Sequence, residues 1–496
     1  MRWANFLHMY QPAEQQPDIL EAIVVQCYRP IIEGILKNKK LRLTLNINGA
    51  LLELFDKYGY KDILKNLRTL AEEKRIEFTG SAKYHALLPF LNEQETARQI
   101  ELNTETLIKY LGNEVKPQGF FAPEMAYDEK ILPIIEKLGF KWLILDEISC
   151  EGEVGKIDYG RVHMIKNSSL NVFFRDRRLS NLIMSAVVRS SDTLLETMKD
   201  IQKTDNYIVT AMDIETFGHH RPGLEKMLFE IFDTNACELI QISDVEKYYK
   251  EIKEIIPTRA TWASSKQDIE NGSQFLSWSD PENAIHKWQW AFTDLVLQEV
   301  YAMDKNHGRY ELVRHKMDMA LASDHFWWAS AKPWWSLEMI EDGAFRLLDT
   351  LRYIPDVATD KLEKGRDFYE HIITTAFNWQ RTGKIRQMMQ SQQGILRIPF
   401  KDRTLGKEGS ENVYYAFLGM MERLKKEAAK KGEYEQAILW RDAIFKLKNK
   451  LDIYDTMNAI DLVRVKIPHD EVEQIIVEYE KKYRKIRGGQ PEQRGS

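Results

Sequence analysis

The sequence predicts an α/β fold: a distorted (β/α)7 TIM-like barrel followed by an all-α C-terminal region. Three observations predict it. Strand-like and amphipathic helical stretches alternate through the first 255 residues, the alternation stops around Ile256-Pro257-Thr258-Arg259, and from Pro281 onward the pattern is almost wholly helical. A long strand–helix alternation implies a parallel sheet with right-handed crossovers. Residues capable of chemistry stand at the C-terminal ends of several strands, which favours a barrel over an open sheet. No Gly-x-Gly-x-x-Gly turn follows the first strand, which counts against dinucleotide binding.

In chain order, the strand-like runs are Trp3–Leu7, Leu41–Ile47, Ile76–Thr79, Gly119–Phe121, Trp142–Leu145, Tyr207–Met212 and Glu238–Ile242. Asp18–Leu36, Glu93–Leu111 and Lys130–Leu138 carry the helical period between them. Asn92 can cap the helix that starts at Glu93, and Gly112 and Gly139 stop theirs. Val162–Ile165 and Val172–Phe174 read as a hairpin inserted in a loop on the active face. Beyond the barrel, Ala284–Met303, Tyr310–Ala329, Leu337–Tyr353 and Lys361–Phe377 fit helices, and Gln392–Glu411 is rich in turns. Val413–Lys431, Glu433–Lys450 and Glu471–Tyr483 fit the closing helices, ahead of a basic, Gly-rich tail. The expected organisation is a barrel over 1–255, a helical domain over 256–390, a helical extension over 391–486 and a disordered tail over 487–496.

Composition narrows the function. The net charge of −5 is small for 496 residues and argues against a nucleic-acid surface. Cys27, Cys150 and Cys237 are odd in number and far apart, which favours a reducing compartment over a disulfide framework. Met1-Arg2-Trp3 leads directly into a strand rather than a secretory signal, and no apolar run approaches the ~20 residues that span a bilayer. A cytoplasmic location without membrane attachment is the expectation. Tryptophans crowd between Trp262 and Trp335, which suits either sugar stacking or an aromatic core. The final helices, such as Met420–Lys431, carry one apolar stripe suited to intramolecular packing or to a homo-oligomer.

The chemistry sits at two strand ends. Tyr207–Met212 delivers Asp213 at its tip, and Gly119–Phe121 does the same for Glu124. Two acids presented from separate strands of one barrel are what glycosidic bond cleavage requires, whereas either alone could be the cap of the next helix. Glu215 is the rival acid, since a continuing strand would put it on the face of Asp213. A metal-dependent deacetylase or mannosidase on a similar barrel is the main competitor, and its deacetylase form pairs two His four residues apart. None of the eleven histidines is so spaced, although a site from His8, Asp213 and His220 stays open. A non-catalytic carbohydrate-binding protein is a third reading, against which both acids argue.

Five blocks, taken together, resemble glycoside hydrolase family 57, the α-glucan-active enzymes. They are His8-Met9-Tyr10-Gln11-Pro12, Gly80–Pro89 with His85, Phe121–Tyr127 with Glu124, Ala211–His220 with Asp213, and Ala322–Trp328 with Asp324. Tyr10 stands where the family usually has a second His. The resemblance implies a retaining double displacement on an α-1,4-glucan or maltooligosaccharide, with no cofactor or metal. Glu124 would be the nucleophile and Asp213 the general acid/base, about 5–5.5 Å apart, with Glu124 ionised while Asp213 stays neutral. It further implies substrate contacts from His8, Gln11, His85, His220 and Asp324, with Trp327 and Trp328 as a stacking wall. Arg175-Asp176-Arg177-Arg178 reads as a solvated charge cluster unless Arg175 reaches the cleft. An α-amylase-type hydrolase is expected first, and a 4-α-glucanotransferase or branching enzyme with the same acids is the alternative.

Overall fold

Strands β1 (Arg2–Met9), β2 (Leu43–Ile47), β5 (Trp142–Asp146) and β8 (Tyr207–Asp213) are buried on both faces nearly throughout; β5 and β8 read as near-continuous apolar runs, whereas β1 and β2 bury the polar Asn5, His8, Thr44 and Asn46. The computed structural model describes residues 1–185, 190–234, 236–332, 334–391, 411–448, 463, 467, 471–472 and 474–479. The remaining strands are β3 (Ile76–Thr79), β4 (Gly119–Phe120), β6 (Val162–Ile165), β7 (Asn171–Arg175), β9 (Glu238–Ile240) and β10 (Ile252–Ile255). They form two sheets, ordered β3-β2-β1-β8, with β9 also on β1, and β10-β6-β7-β5-β4. Every pairing is parallel except β6 with β7. The chain is therefore α/β with a helical C-terminal region, as expected.

The sheets touch at both ends. Gly80, just past β3, donates its N–H to Gly119 O and accepts from Phe121 N, both at 2.9 Å. Asp176, just past β7, donates to Val209 O of β8 at 2.7 Å. Between the sheets lies a cluster of Phe6, Phe121, Ile144, Phe173, Tyr207 and Val209. The other face of the second sheet, with Phe120, Leu143 and Val172, shares a core with helices Ala284–Ala302, Tyr310–Ala320, Leu337–Tyr353 and Thr359–Arg381. A buried ionic network joins helix Glu93–Leu111, capped by the Asn92 side chain, to Tyr310–Ala320. Arg314 reaches Glu95 at 2.8 Å and Asp318 at 3.1 Å, and Arg98 reaches Asp318 at 2.7 Å.

Three local expectations are corrected. The run Val172–Phe174 belongs to β7, which pairs in parallel with β5 and is a full sheet member; only β6 is antiparallel to it. The expected helix Tyr310–Ala329 breaks into Tyr310–Ala320 and Asp324–Trp327, because Ala322 bridges to Ala86 and Ser323 donates to His85 O at 3.2 Å. The run Glu238–Ile242 leaves the sheet after Ile240, and β10 joins β6 unforeseen.

Residues 1–216 and 228–389 form one compact unit, and 217–227 with 390–496 form another. In the second, helices Glu411–Lys430 and Tyr434–Lys448 pack through Phe417, Met420, Met421, Trp440 and Ile444. The turn-rich stretch from 392 to 410, the chain beyond 479 and the tail from 487 lie outside the described residues. Among the described residues no helix is long and apolar enough to cross a membrane.

Candidate active site

Strand register places the first partners. His8 and Asp213 face each other across β1 and β8, and His8 faces Asn46 across β1 and β2. Glu124 arrives by a different route. After β4 the chain makes a tight turn in which Glu124 takes φ 63° and ψ 15°, a left-handed conformation that costs an L residue about 1–3 kcal/mol. The turn closes with Met125 N on Ala122 O at 2.8 Å. The Glu124 side chain keeps 18 % exposure, enough for a substrate to reach it.

Both acids are electrostatically displaced. Burial, with the Asp213 charge behind it, pushes Glu124 up to about 8 against an opposing hydrogen bond from Trp262. Burial lifts Asp213 to about 6, and the Arg175 guanidinium opposes the rise. Both shifts favour the neutral acid, and the neighbouring charges favour it more at Glu124 than at Asp213. The physical reason is that a cation faces Asp213, whereas Glu124 faces two further carboxyls, Asp213 and Asp324.

Glu215 is locked from beneath. Its Oε1 accepts from Gln11 Nε2 at 3.2 Å and from the Tyr28 hydroxyl, while Cys27 Sγ donates to Ile214 O at 3.1 Å. A π-helical turn at Val24–Tyr28 presents Cys27 and Tyr28 side by side, the kind of irregularity that recurs near functional sites. Burial and then the Asp213 charge raise Glu215 to about 8. Gln11 is thus a buried support of the acid turn.

Three rings line the floor. Tyr10 stacks on His85 at 4.1 Å and 15°, and His8 lies 5.3 Å from His85. Burial holds His8 down to about 4, so the ring is neutral, and Nδ1 is spent on Asn46 Oδ1 at 2.8 Å. That Asn46 orientation also satisfies its amide on Thr79 Oγ1 at 3.1 Å, so His8 Nδ1 donates and Nε2 is left as an acceptor. His85 Nδ1 meets Ser323 Oγ at 3.0 Å, and its Nε2 is buried without a partner. Tyr10 donates to Asp324 Oδ2 at 2.5 Å, so one oxygen of this expected substrate contact already has a protein partner.

The charge cluster after β7 is built into the site. Arg175 is buried, donating to Asp146 Oδ2 at 2.6 Å and to Ala211 O at 2.7 Å. Arg177 holds Asp146 Oδ1 at 2.7 Å, Ser264 O at 2.7 Å and Trp262 O at 3.0 Å. Trp262 in turn donates Nε1–H to Glu124 Oε2 at 2.7 Å. Sequence reasoning missed Tyr28, Arg177 and Trp262; the one available signal was that Trp262 opens the tryptophan-rich stretch where the alternation stops.

The structure thus brings His8, His85, Glu124, Asp213 and Asp324 together, with Gln11 beneath. Trp327 stacks on Trp334 at 4.3 Å, lies 4.9 Å from Trp328 and packs on the cluster around Phe326 and Trp278. His219 and His220 fall in the 217–227 segment of the second unit, where His219 is half-buried and His220 exposed. Among the described residues no group of three or more His, Cys, Asp or Glu could hold a metal ion.

The sequence model of glycosyl hydrolase family 57 matches residues 3–258, just over half of the chain. An alpha-amylase of Pyrococcus horikoshii is 23% identical over 234 residues, which is 46% of this chain and 36% of that protein. The chain therefore spans about a third of that relative's length. Among solved structures, a GH57-type branching enzyme from Pyrococcus horikoshii superposes with a TM-score of 0.59 at 15% identity, over 74% of this chain and 94% of that one. A 4-alpha-glucanotransferase from Thermococcus litoralis gives 0.57 at 15% identity, over 71% and 60%.

Proposed function

Since the chain belongs to glycosyl hydrolase family 57, we propose that it is a retaining enzyme that cleaves α-1,4-glucans in the manner of an α-amylase. One observation carries this reading: two half-buried, electrostatically coupled carboxyls, Glu124 and Asp213, with the first open to substrate. Glu124 attacks the anomeric carbon while Asp213 gives its proton to the departing oxygen. Asp213 then takes a proton from water as the glycosyl-enzyme is released.

The same reading takes seven strands as a closed (β/α)7 barrel: β1, β2 and β3, then β4, β5 and β7 through the Gly80 contacts, then β8 through Asp176 and back to β1. Residues 1–255 form that barrel, and 256–390 form the helical domain that closes the cleft. His8 Nε2 accepts from a sugar hydroxyl, and His85 and Asp324 border the same sugar. Trp327 and Trp328 extend the binding surface, with no metal or cofactor taking part. A cytoplasmic location and an α-glucan as the binding partner complete the reading.

Catalysis needs one proton on the pair. Below the lower titration both acids are protonated and no nucleophile exists; above the upper one both are ionised and no acid remains. A bell-shaped kcat/KM is expected, with limbs near about 6 and about 8, measured on a maltooligosaccharide. A profile flat across that interval would remove the pair from the chemistry.

Transfer to a sugar acceptor uses the same residues, and the names of both solved neighbours favour it as the second reading. Incubation with a single maltooligosaccharide, with products resolved by length and linkage, separates the cases. Shorter sugars alone mean hydrolysis, longer ones mean transfer, and new α-1,6 linkages mean branching. No change in any product would overturn the proposal.

A further inference from the structure

Trp262 lies outside the five sequence blocks, yet it holds Glu124 at two points. Its indole Nε1–H donates to Oε2 at 2.7 Å, and its backbone N–H donates to Glu124 O at 3.2 Å. The ring is backed by Phe121, with centroids 5.9 Å apart, and by the Arg175 guanidinium 5.9 Å from its centroid. Arg177 fixes the Trp262 and Ser264 carbonyls while itself tied to fully buried Asp146. Glu124 Oε1 is different. His85 Nδ1 stands 3.9 Å away and is engaged with Ser323, and among the described residues no donor reaches Oε1 within hydrogen-bond distance.

We infer that Trp262, clamped by Arg177, is a positioning residue that grips the Glu124 carboxylate by Oε2, leaves Oε1 to attack, and biases the shared proton toward Asp213. This rests on Glu124 being the nucleophile, as proposed above. In the first step the Oε1–carbon bond forms as the glycosidic carbon–oxygen bond breaks, and the departing oxygen takes the Asp213 proton. Oε2 becomes the ester carbonyl oxygen and still accepts from the indole. In the second step the water oxygen bonds to the anomeric carbon, its proton goes to Asp213, and the electron pair returns to Oε1.

The groups facing Glu124 are Asp213 at the β8 tip, Asp324 of the helix Asp324–Trp327, Tyr10 after β1 and His85 after β3. The two carboxyls favour a proton on Glu124, and the Trp262 N–H opposes them. Burial and the neighbouring carboxyls thus work against the productive form, in which Glu124 is ionised and Asp213 carries the proton. The indole donor favours that form.

Trp262→Phe keeps the ring and removes the donor. On the full-length enzyme with a maltooligosaccharide, kcat is expected to fall roughly 10- to 100-fold with little change in KM. The alkaline limb should move to higher pH, because a carboxylate deprived of its donor keeps its proton longer, while the acid limb stays. Arg177→Gln should move the same quantities less, and a melting curve checks the fold of both. A fall in kcat with both limbs unmoved, or no fall, overturns the role of Trp262. Wild-type enzyme treated with 5-fluoro-α-D-glucosyl fluoride and mapped by mass spectrometry tests the premise separately. A label on Glu124 with unmoved limbs sinks only the Trp262 role, whereas a label elsewhere sinks the nucleophile reading as well.

Discussion

Glu124→Gln is expected to lower turnover on maltooligosaccharides by on the order of 10⁴-fold or more, with the fold and glucan affinity nearly unchanged. The amide has the shape of the carboxyl and can still accept from Trp262 Nε1, so the turn around Ala122–Met125 keeps its contacts. It cannot form a glycosyl ester that water then opens, and the covalent route is closed. Initial rates together with calorimetric binding of a maltooligosaccharide check both halves of the expectation. Turnover near that of the wild type would remove Glu124 as nucleophile.

Asp213→Asn should cost about 10²- to 10⁴-fold on the same substrate, because the departing sugar oxygen then leaves without a proton. With α-glucosyl fluoride the first step should be nearly spared, since fluoride departs unaided. Added azide should then be captured as the α-glycosyl azide, the retained configuration. Equal losses on sugar and fluoride donors would mean that Asp213 only supports structure. Glu215 is poorly placed to substitute for it, because Tyr28 and Gln11 already occupy its Oε1.

How far the sequence could be read depended on how local the cause was. The paired acids, the Asn92 cap and the buried strands are written in short runs, and reading them needs no knowledge of distant partners. The strand β7 was misread because a short turn links it to β6, and the two are indeed antiparallel neighbours. Its parallel partner β5 lies about thirty residues earlier, where no periodicity connects them. The helix break before Asp324 is invisible for the same reason: apolar residues continue through it, and only contacts with His85 and Ala86 stop the coil. Trp262 and Arg177 belong to this class. Their partners are Glu124 and Asp146, and a tryptophan beyond the last expected strand announces neither. Tyr10 was noticed only as a departure from the usual His; its stacking on His85 and bond to Asp324 needed coordinates.

The left-handed backbone at Glu124 sets robustness against chemistry at one position. A side chain there is strained at φ 63°, and a carboxyl with an ordinary value of 4.5 that rises to about 8 in the fold costs stability progressively as pH climbs between those values. Glycine would relieve both burdens at once. An engineering programme that rewards heat resistance and ignores turnover would therefore be drawn to the residue it most needs to leave alone.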